Sequence, residues 1–508
     1  MLRAVLLVMG GTLASRVLGL VRQAVFNALY PDALKDAFNV AYRVPNLLRE
    51  LLAEGAVQNA LIPLLKSLPP EEARAFARRF AAFLFGVNLV VLGLGYLLAP
   101  WVAGLLVAEE SHLRAPEAFQ EVVYLTRLLL PFLLGISMAA LFSALLQAEE
   151  RFLPYALGPV AFNLVAILLM ALYPGDPTAL GLSVSLGGLI QALVQLPFLR
   201  GFRLEWRWHP AFLHGDISMG RCPSTNYQRK FPTLATTSLR QFLNLVLTNI
   251  LTRYPPAAVT GFYNAEVVFQ MVLGLFATSP AIALFPRMST LRGEDLGRFL
   301  RGPFERLALV LALLGGLLTG LAPFVVVLLF GLFGPLTLEN RAYSAEVLAA
   351  LGLAVLPWGV NTLFLRGLYA LGRVREAVTA SALVFLLNTL GYWLLRDAGL
   401  FLLNLSTALA GWVGLFLYLA LLRREGVGVG YAPGYLLRVL PAGLLAALPG
   451  LGLENAFPAS GPKEALLPLL LGGAGGVALF LFAGALLGLP LKGLWSGGRG
   501  PFNPPGSA

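Results

Sequence analysis

The chain has 508 residues, of which 58% are hydrophobic and only 12% are charged, whereas soluble domains carry roughly 25% charged residues. This composition excludes an ordinary soluble enzyme. Apolar stretches recur from residue 4 to residue 490, and about 20 apolar residues suffice to cross a bilayer as a helix. We therefore predict an all-α polytopic membrane protein and exclude a nucleic-acid-binding one.

The residues that usually carry chemistry are few. The single cysteine, Cys222, cannot form an intrachain disulfide, and the three histidines, His112, His209 and His214, fall between the apolar stretches. The sequence contains no clear nucleophile elbow, P-loop, metal-binding His motif or dinucleotide fingerprint. We therefore predict no catalytic residues and no metal site, which means a protein that is not an enzyme.

Hydropathy predicts about 14 membrane-spanning helices, at 1.5 Å rise per residue. In chain order they cover residues 4–29, 36–65, 80–107, 120–147, 152–173, 178–199, 232–253, 257–287, 303–331, 342–371, 376–396, 399–422, 433–451 and 464–489.

The loops between these spans alternate in charge. The net charge is +11, and the basic residues collect in the loops that follow even-numbered spans, such as residues 200–230. The opposite loops are acidic or nearly neutral. Because Lys and Arg concentrate in cytoplasmic loops, we predict that both termini face the cytoplasm.

The longest polar stretch, residues 200–230, separates the first six spans from the next six. It predicts an N-lobe over residues 1–230, with spans 1 to 6 and the linker. A C-lobe over residues 231–425 follows with spans 7 to 12, and residues 426–508 hold a C-terminal helix pair.

Ionisable residues concentrate in the first two spans. They are Arg16 and Arg22 in the first, and Asp36, Arg43, Arg49, Glu50 and Glu54 in the second. In antiparallel helices Arg16 should lie level with Arg49, and Arg22 and Arg43 roughly 9 Å nearer the outside. A charge at this depth is costly, so such groups usually face a cavity or a partner.

Four arginines opposed by three carboxylates favour a cationic cavity. The guanidinium group stays charged when partly desolvated and matches the oxygens of phosphates and carboxylates, which indicates an anionic substrate. The alternative is that Asp36, Glu50 and Glu54 neutralise the arginines in pairs that only hold the helices together. Pro45 and Gly55 interrupt the second span, as is typical of moving transporter helices.

Other polar residues within the spans are weaker candidates. Arg127, Arg240 and Arg366 lie in the fourth, seventh and tenth spans. Asn388 and Thr407, in the eleventh and twelfth, could ligate an ion, although polar residues of this kind more often bond a neighbouring helix.

Three segments near the N-terminus resemble the signature of a known family. They are SRVLGLVR at 15–22, DAFNVAYRVPNLLR at 36–49, and AEGA at 53–56 followed by Pro63. In order and spacing they resemble the MurJ (MviN) family of lipid II flippases, in the multidrug/oligosaccharidyl-lipid/polysaccharide exporter superfamily. Weaker similarity runs through residues 151–165, 263–286 and 365–371.

The resemblance implies two six-helix lobes in a V around a central cationic cavity, with the final helix pair forming a groove for a polyprenyl tail. It also implies alternating access, which carries the undecaprenyl-pyrophosphate-linked peptidoglycan precursor from the cytoplasmic to the periplasmic leaflet of the bacterial inner membrane. The implied substrate contacts are Arg16, Arg22, Arg49, Arg43, Asp36 and Glu54. Lipid II and membrane lipids are the expected partners, with cell-wall synthesis proteins as further candidates, and a monomer is expected.

Two departures from the family pattern concern the arginines. Glu50 stands where a second basic residue is frequent. Val267 stands where many relatives place an arginine in the eighth span, and Arg240 or Arg253 are the candidates to replace it.

A third departure concerns ion coupling. Asn388 and Thr407 match positions implied to bind an ion, but Tyr392 stands where a carboxylate is expected. No cofactor is predicted, and coupling to a monovalent ion or to the membrane potential stays open. The alternatives are an exporter of another lipid-linked oligosaccharide or a drug, a membrane glycosyltransferase, and a non-transporting scaffold.

Overall fold

The computed structural model describes residues 2–52, 65, 69–149, 151–199, 205 and 227–491. In these ranges the regular elements are helices, without strands, and they form 14 successive helical segments. The segments are α1 (Leu2–Leu29), α2 (Asp32–Leu52), α3 (Pro70–Leu106), α4 (Pro116–Ala148), α5 (Phe152–Leu172), α6 (Pro177–Leu193), α7 (Tyr227–Leu251), α8 (Ala258–Met288), α9 (Gly293–Phe330), α10 (Leu338–Ala370), α11 (Val374–Leu394), α12 (Leu400–Arg424), α13 (Tyr431–Glu454) and α14 (Pro462–Leu486).

The predicted all-α polytopic fold is confirmed. Ten of the described helices are long and apolar enough to cross a membrane. The helices α3 and α9 begin ten residues before their predicted spans, at Pro70 and Gly293. The first turn of each helix contains acidic residues, which interact favourably with the positive end of the helix dipole. Hydropathy misses these polar extensions because it detects only the apolar part of a helix.

Two of the long helices are irregular inside the span. The helix α4 breaks at Leu130, before Pro131, and α8 contains a π-helical turn at Gly274–Thr278. In that turn the carbonyl of Gly274 accepts a hydrogen bond of 2.8 Å from the Ser279 hydroxyl. The backbone N–H of Ser279 donates to the same oxygen, so the side chain adds a second hydrogen bond to it.

The chain forms two compact units. The first comprises Met1–Val259 with Leu332–Gly334, and the second comprises Thr260–Gly331 with Pro335–Ala508. The helix α7 therefore packs within the first unit, although it follows the polar linker. The lobes predicted with boundaries at residues 230 and 425 stay a prediction.

In the first unit, small residues allow close helix crossings. A Cβ added at Gly11 in α1 would meet Ala156 in α5. One turn further along α1, the amide of Asn163 donates to the Ser15 carbonyl at 3.3 Å. These contacts set the rotation of α1, the helix that carries the first two arginines.

In the second unit, α9 packs against α10, α13 and α14. A Cβ added at Gly316 would meet the carbonyl oxygen of Gly443, and one at Gly320 would meet that of Ala447. This seam of α9 against α13 therefore brings two backbones into direct contact, as small residues do in membrane helices.

Candidate functional site

The arginines of α1 differ in environment. Arg16 is exposed and Arg22 is half-buried. The guanidinium carbon of Arg22 lies 5.2 Å from the ring centroid of Phe162 in α5. This cation–π contact gives the charge a partner without neutralising it, so Arg22 remains able to attract an anion.

The arginines of α2 stand beside Pro45. Arg43 is buried, and the Nε of Arg49 donates to the Asn46 side chain at 3.1 Å. Arg49 interacts electrostatically with Arg22, as does Tyr42. Arg22 and Arg49 are therefore close enough to interact, although the sequence analysis placed them at different depths.

Two like charges in one site require a physical reason. Arg22 and Arg49 repel one another, and the repulsion is strongest where water is excluded. An anion with several oxygens would relieve it, because two guanidinium groups can each bind an oxygen pair. The pair is thus suited to a phosphate or pyrophosphate group.

The carboxylate of Asp36 lies elsewhere, at the start of α2. It is fully buried, and its Oδ2 accepts a hydrogen bond of 2.8 Å from the backbone N–H of Ala257. The Nε2 of His112 lies 3.7 Å from the same oxygen. The residue before Asp36, Lys35, is also buried, and its Nζ lies 2.6 Å from Oδ1 of Asp32. Glu54, the remaining acidic candidate, lies outside the described residues.

The position of His112 beside Asp36 could not be predicted from the sequence. It belongs to a short loop helix between α3 and α4, and burial lowers its pKa below the ordinary value of 6.5, while a contact with the Tyr254 backbone acts in the opposite sense. No local pattern links His112, Asp36 and Ala257, because 221 positions separate the last two.

The weaker arginine candidates have separate environments. Arg366 lies 6.0 Å from the Phe285 ring, and Arg253 approaches Glu110 at 3.8 Å. Arg240 is half-buried. Arg127 packs on Tyr96 in α3.

The candidate ion ligands form contacts between α11 and α12. The hydroxyls of Tyr392 and Thr407 are 2.6 Å apart, and the Ser406 hydroxyl donates to Asn388 Oδ1 at 3.3 Å. The Thr407 carbonyl accepts a hydrogen bond of 2.7 Å from Trp358. These oxygens are engaged by protein donors.

The expected carboxylate is replaced by a hydroxyl group in this arrangement. Hard cations prefer carboxylate and carbonyl oxygens, and the position expected to supply the carboxylate holds the Tyr392 hydroxyl, which is bonded to Thr407. Within the described residues, His, Cys, Asp and Glu do not gather into a group of three suited to a metal. Tyr392 and Thr407 form a contact between α11 and α12, and an ion role for Asn388 and Thr407 stays a prediction.

The succession of membrane-length helices is that of a multi-span helical membrane protein, and arginines on the first two are typical of a transporter. Residues 25–458 match the family model described as lipid II flippase MurJ. The chain belongs to this family.

Individual relatives carry the name of the same family. A protein from Rhizobium meliloti named probable lipid II flippase MurJ is 30% identical, over 82% of this chain and 79% of its own length. One of the same name from Bdellovibrio bacteriovorus is 26% identical, over 90% and 88%.

A solved structure titled lipid II flippase MurJ, inward closed conformation, superposes with a TM-score of 0.76 at 18% identity, covering 96% of this chain and 99% of that one. An inward-facing multidrug resistance MATE family transporter gives 0.56 at 13%, covering 81% and 95%. At these identities the likeness concerns the fold.

Proposed function

We propose that the protein is a lipid II flippase, which moves undecaprenyl-pyrophosphate-linked peptidoglycan precursor across the bacterial inner membrane by alternating access. The observation that carries the proposal is that Arg22 on α1 and Arg49 on α2 are close enough to repel one another. Family membership, shown by the match over residues 25–458, supplies the substrate class.

The proposed site binds the pyrophosphate and peptide carboxylates of the headgroup. Arg22 and Arg49 form its centre, Arg16 is exposed on the same helix as Arg22, and Arg43 supplies further positive charge. We assign Asp36 and Glu54 to the same functional region, on the family resemblance. The polyprenyl tail stays in lipid along α13 and α14.

The drug-export alternative is less well supported. A cationic drug would require unpaired carboxylates, and the Asp36 carboxylate is buried and bonded to the Ala257 N–H. The enzyme alternative is less well supported because the family model that the chain matches describes a flippase.

Transport also requires a direction and an energy source. With basic loops in the cytoplasm both termini are cytoplasmic, and the headgroup enters from that side. We propose that the membrane potential acts on the charge of the site, since each elementary charge gains about 2.3 kcal/mol per 100 mV.

The test is complementation of a bacterium depleted of its own lipid II flippase, followed by a lipid II transport assay with the purified protein in vesicles. The wild-type chain should restore growth, whereas Arg22→Ala and Arg49→Ala should not. Each removes one guanidinium from the pair, and charged hydrogen bonds of this kind contribute about 1.5–3 kcal/mol each.

The matched control is Arg74→Ala. This arginine of α3 is exposed and pairs with Glu149 at 2.9 Å, so its loss should leave transport unchanged at equal expression. Full transport by both Arg22→Ala and Arg49→Ala would contradict the proposed substrate site. Failure of the wild-type protein to move lipid II in vesicles would contradict the proposed function.

A further inference from the structure

We propose that a second anion site, on the lipid-facing surface of α3 and α4, binds the phosphate of a membrane phospholipid. We name it the Tyr96–Arg127 site, after the two residues that form it. It is separate from the arginines of α1 and α2 and goes beyond the transport of lipid II.

The site begins with a backbone irregularity in α3. Pro100 lies inside this helix and has no N–H group, so the carbonyl of Tyr96, four residues earlier, loses its regular helical donor. The Nε of Arg127, in α4, donates to this freed carbonyl at 3.2 Å. An arginine from the neighbouring helix thus replaces the missing backbone hydrogen bond.

The same arginine is held from a second direction. Its guanidinium carbon lies 4.5 Å from the ring centroid of Tyr96. One hydrogen bond and one cation–π contact together fix the orientation of a planar group, so little conformational entropy remains to be lost when it binds a ligand. The site is therefore preorganised.

The guanidinium still has donors to offer. Arginine carries five N–H groups, and one of them is used by the Tyr96 carbonyl. Among the residues that the structure describes, Tyr96 is the partner of Arg127, through both its carbonyl oxygen and its ring. Four N–H groups in a fixed fork match two oxygens of a phosphate.

The surroundings indicate lipid. The outward residues of α3 near Tyr96 are large and apolar, with Leu97 74% and Trp101 65% exposed. A surface of this kind in a membrane-length helix faces acyl chains. An arginine there without a counter-charge would cost free energy, which an anionic lipid group removes.

The site lies below the outer end of both helices. Tyr96 is ten residues before the end of α3 at Leu106, or about 15 Å along the helix, so the bound phosphate is drawn inward by local thinning of the bilayer around the arginine. The Tyr96 carbonyl points towards this end, and an arginine side chain leans towards the N-terminus of its own helix, which for α4 is the same membrane face. Tyr96 and Trp101 add the aromatic residues typical of the interface. In the proposed topology this is the outer leaflet.

The test uses the full chain, purified in detergent, and phosphatidylglycerol as the probe, with uncharged diacylglycerol as the comparison lipid. Native mass spectrometry should detect bound phosphatidylglycerol in preference to diacylglycerol. In Arg127→Gln its affinity should fall about fivefold, the factor expected for one basic residue near a membrane surface. Equal binding of both lipids by the wild-type protein would overturn the site.

The matched control is Arg114→Gln. Arg114 belongs to the loop at the same membrane face and pairs with Glu109 at 2.5 Å, so its loss should not change phosphatidylglycerol binding. An equal fall in both variants would show unspecific charge attraction and overturn the site.

A second measurement does not depend on any variant. Photoreactive phosphatidylglycerol should label the wild-type protein within residues 94–101 and 124–131, and excess undecaprenyl pyrophosphate should not displace it. Labelling elsewhere alone would overturn the site. Displacement by undecaprenyl pyrophosphate would assign the site to the transported lipid and overturn the proposal. In cells, cross-linking of an acidic membrane protein to this surface, with loss of lipid labelling, would assign the site to a protein partner and also overturn the proposal.

Discussion

The two compact units bury polar groups in different ways. In the first, α2 alone buries three charged side chains, Lys35, Asp36 and Arg43. In the second, the buried polar side chains among the described residues are neutral. An example is Asn264, whose amide donates to Asn340 at 3.1 Å.

The difference predicts how each unit should respond to substitution. Buried charges cost free energy unless their partners are kept, whereas neutral hydrogen bonds and glycine contacts serve to pack helices. The first unit should therefore respond to changes of charge, and the second to changes of volume. Four substitutions or conditions test this contrast, starting with the largest expected effect.

The seam of α9 against α13 should be the most sensitive to volume. In Gly316→Ala the new Cβ would meet the carbonyl oxygen of Gly443, a backbone atom that cannot rotate away. We expect a loss of about 3 kcal/mol in the free energy of unfolding, measured by denaturant titration in micelles. Gly473→Ala, in α14, has open space around the new Cβ and should be neutral; equal losses would contradict the contrast.

Asp36 tests the charged core of the first unit. Asp36→Ala leaves the buried N–H of Ala257 without its acceptor, and we expect a loss of about 2 kcal/mol in unfolding free energy. Asp36→Asn keeps an acceptor and should lose less. Asp397→Ala is the control, since this carboxylate is exposed. Equal stability of Asp36→Ala and the wild-type protein would show that the bond contributes nothing.

Tyr392 tests the neutral contacts of the second unit. Tyr392→Phe removes the hydroxyl that lies 2.6 Å from Thr407 and should cost about 1 kcal/mol. Thr389→Val is the control, because that hydroxyl bonds only its own helix, at Phe385. Replacing potassium by sodium should not change the melting temperature of either protein, and a sodium-specific rise in the wild-type chain would restore an ion site.

The smallest effect concerns pH. Because burial lowers the pKa of His112 below 6.5, the unfolded chain takes up a proton where the folded chain does not. Stability should therefore fall as the pH falls through about 6.5. The melting temperature of His112→Gln should change less than that of the wild-type protein between about pH 7.5 and pH 5.5. Parallel curves would exclude His112 as the group responsible.

Much of the fold could be predicted from hydropathy, because membrane helices must satisfy their backbone internally and reveal themselves by length. The eighth span, predicted at residues 257–287, is observed as Ala258–Met288. The polar first turns of α3 and α9 could not be predicted in this way, since they lie beyond the apolar part of each helix.

The candidate site was only partly predictable. The arginines of the first two spans are conspicuous because charge is rare in apolar helices, but helix geometry alone does not show that Arg22 meets Arg49. The environment of Asp36 depends on His112 and Ala257, and contacts across such distances in sequence have no local signal. The roles of these residues in transport stay predictions.

Ala257 has a consequence for sequence variation. It is a fully buried alanine with φ of +75°, a conformation that costs an L-residue roughly 1–2 kcal/mol. Glycine adopts it freely, asparagine and aspartate adopt it more readily than most residues, and β-branched residues hardly at all. In a scan of every amino acid at this position, tolerance should therefore follow left-handed backbone preference and small size, with glycine ranked above alanine and with valine and isoleucine last.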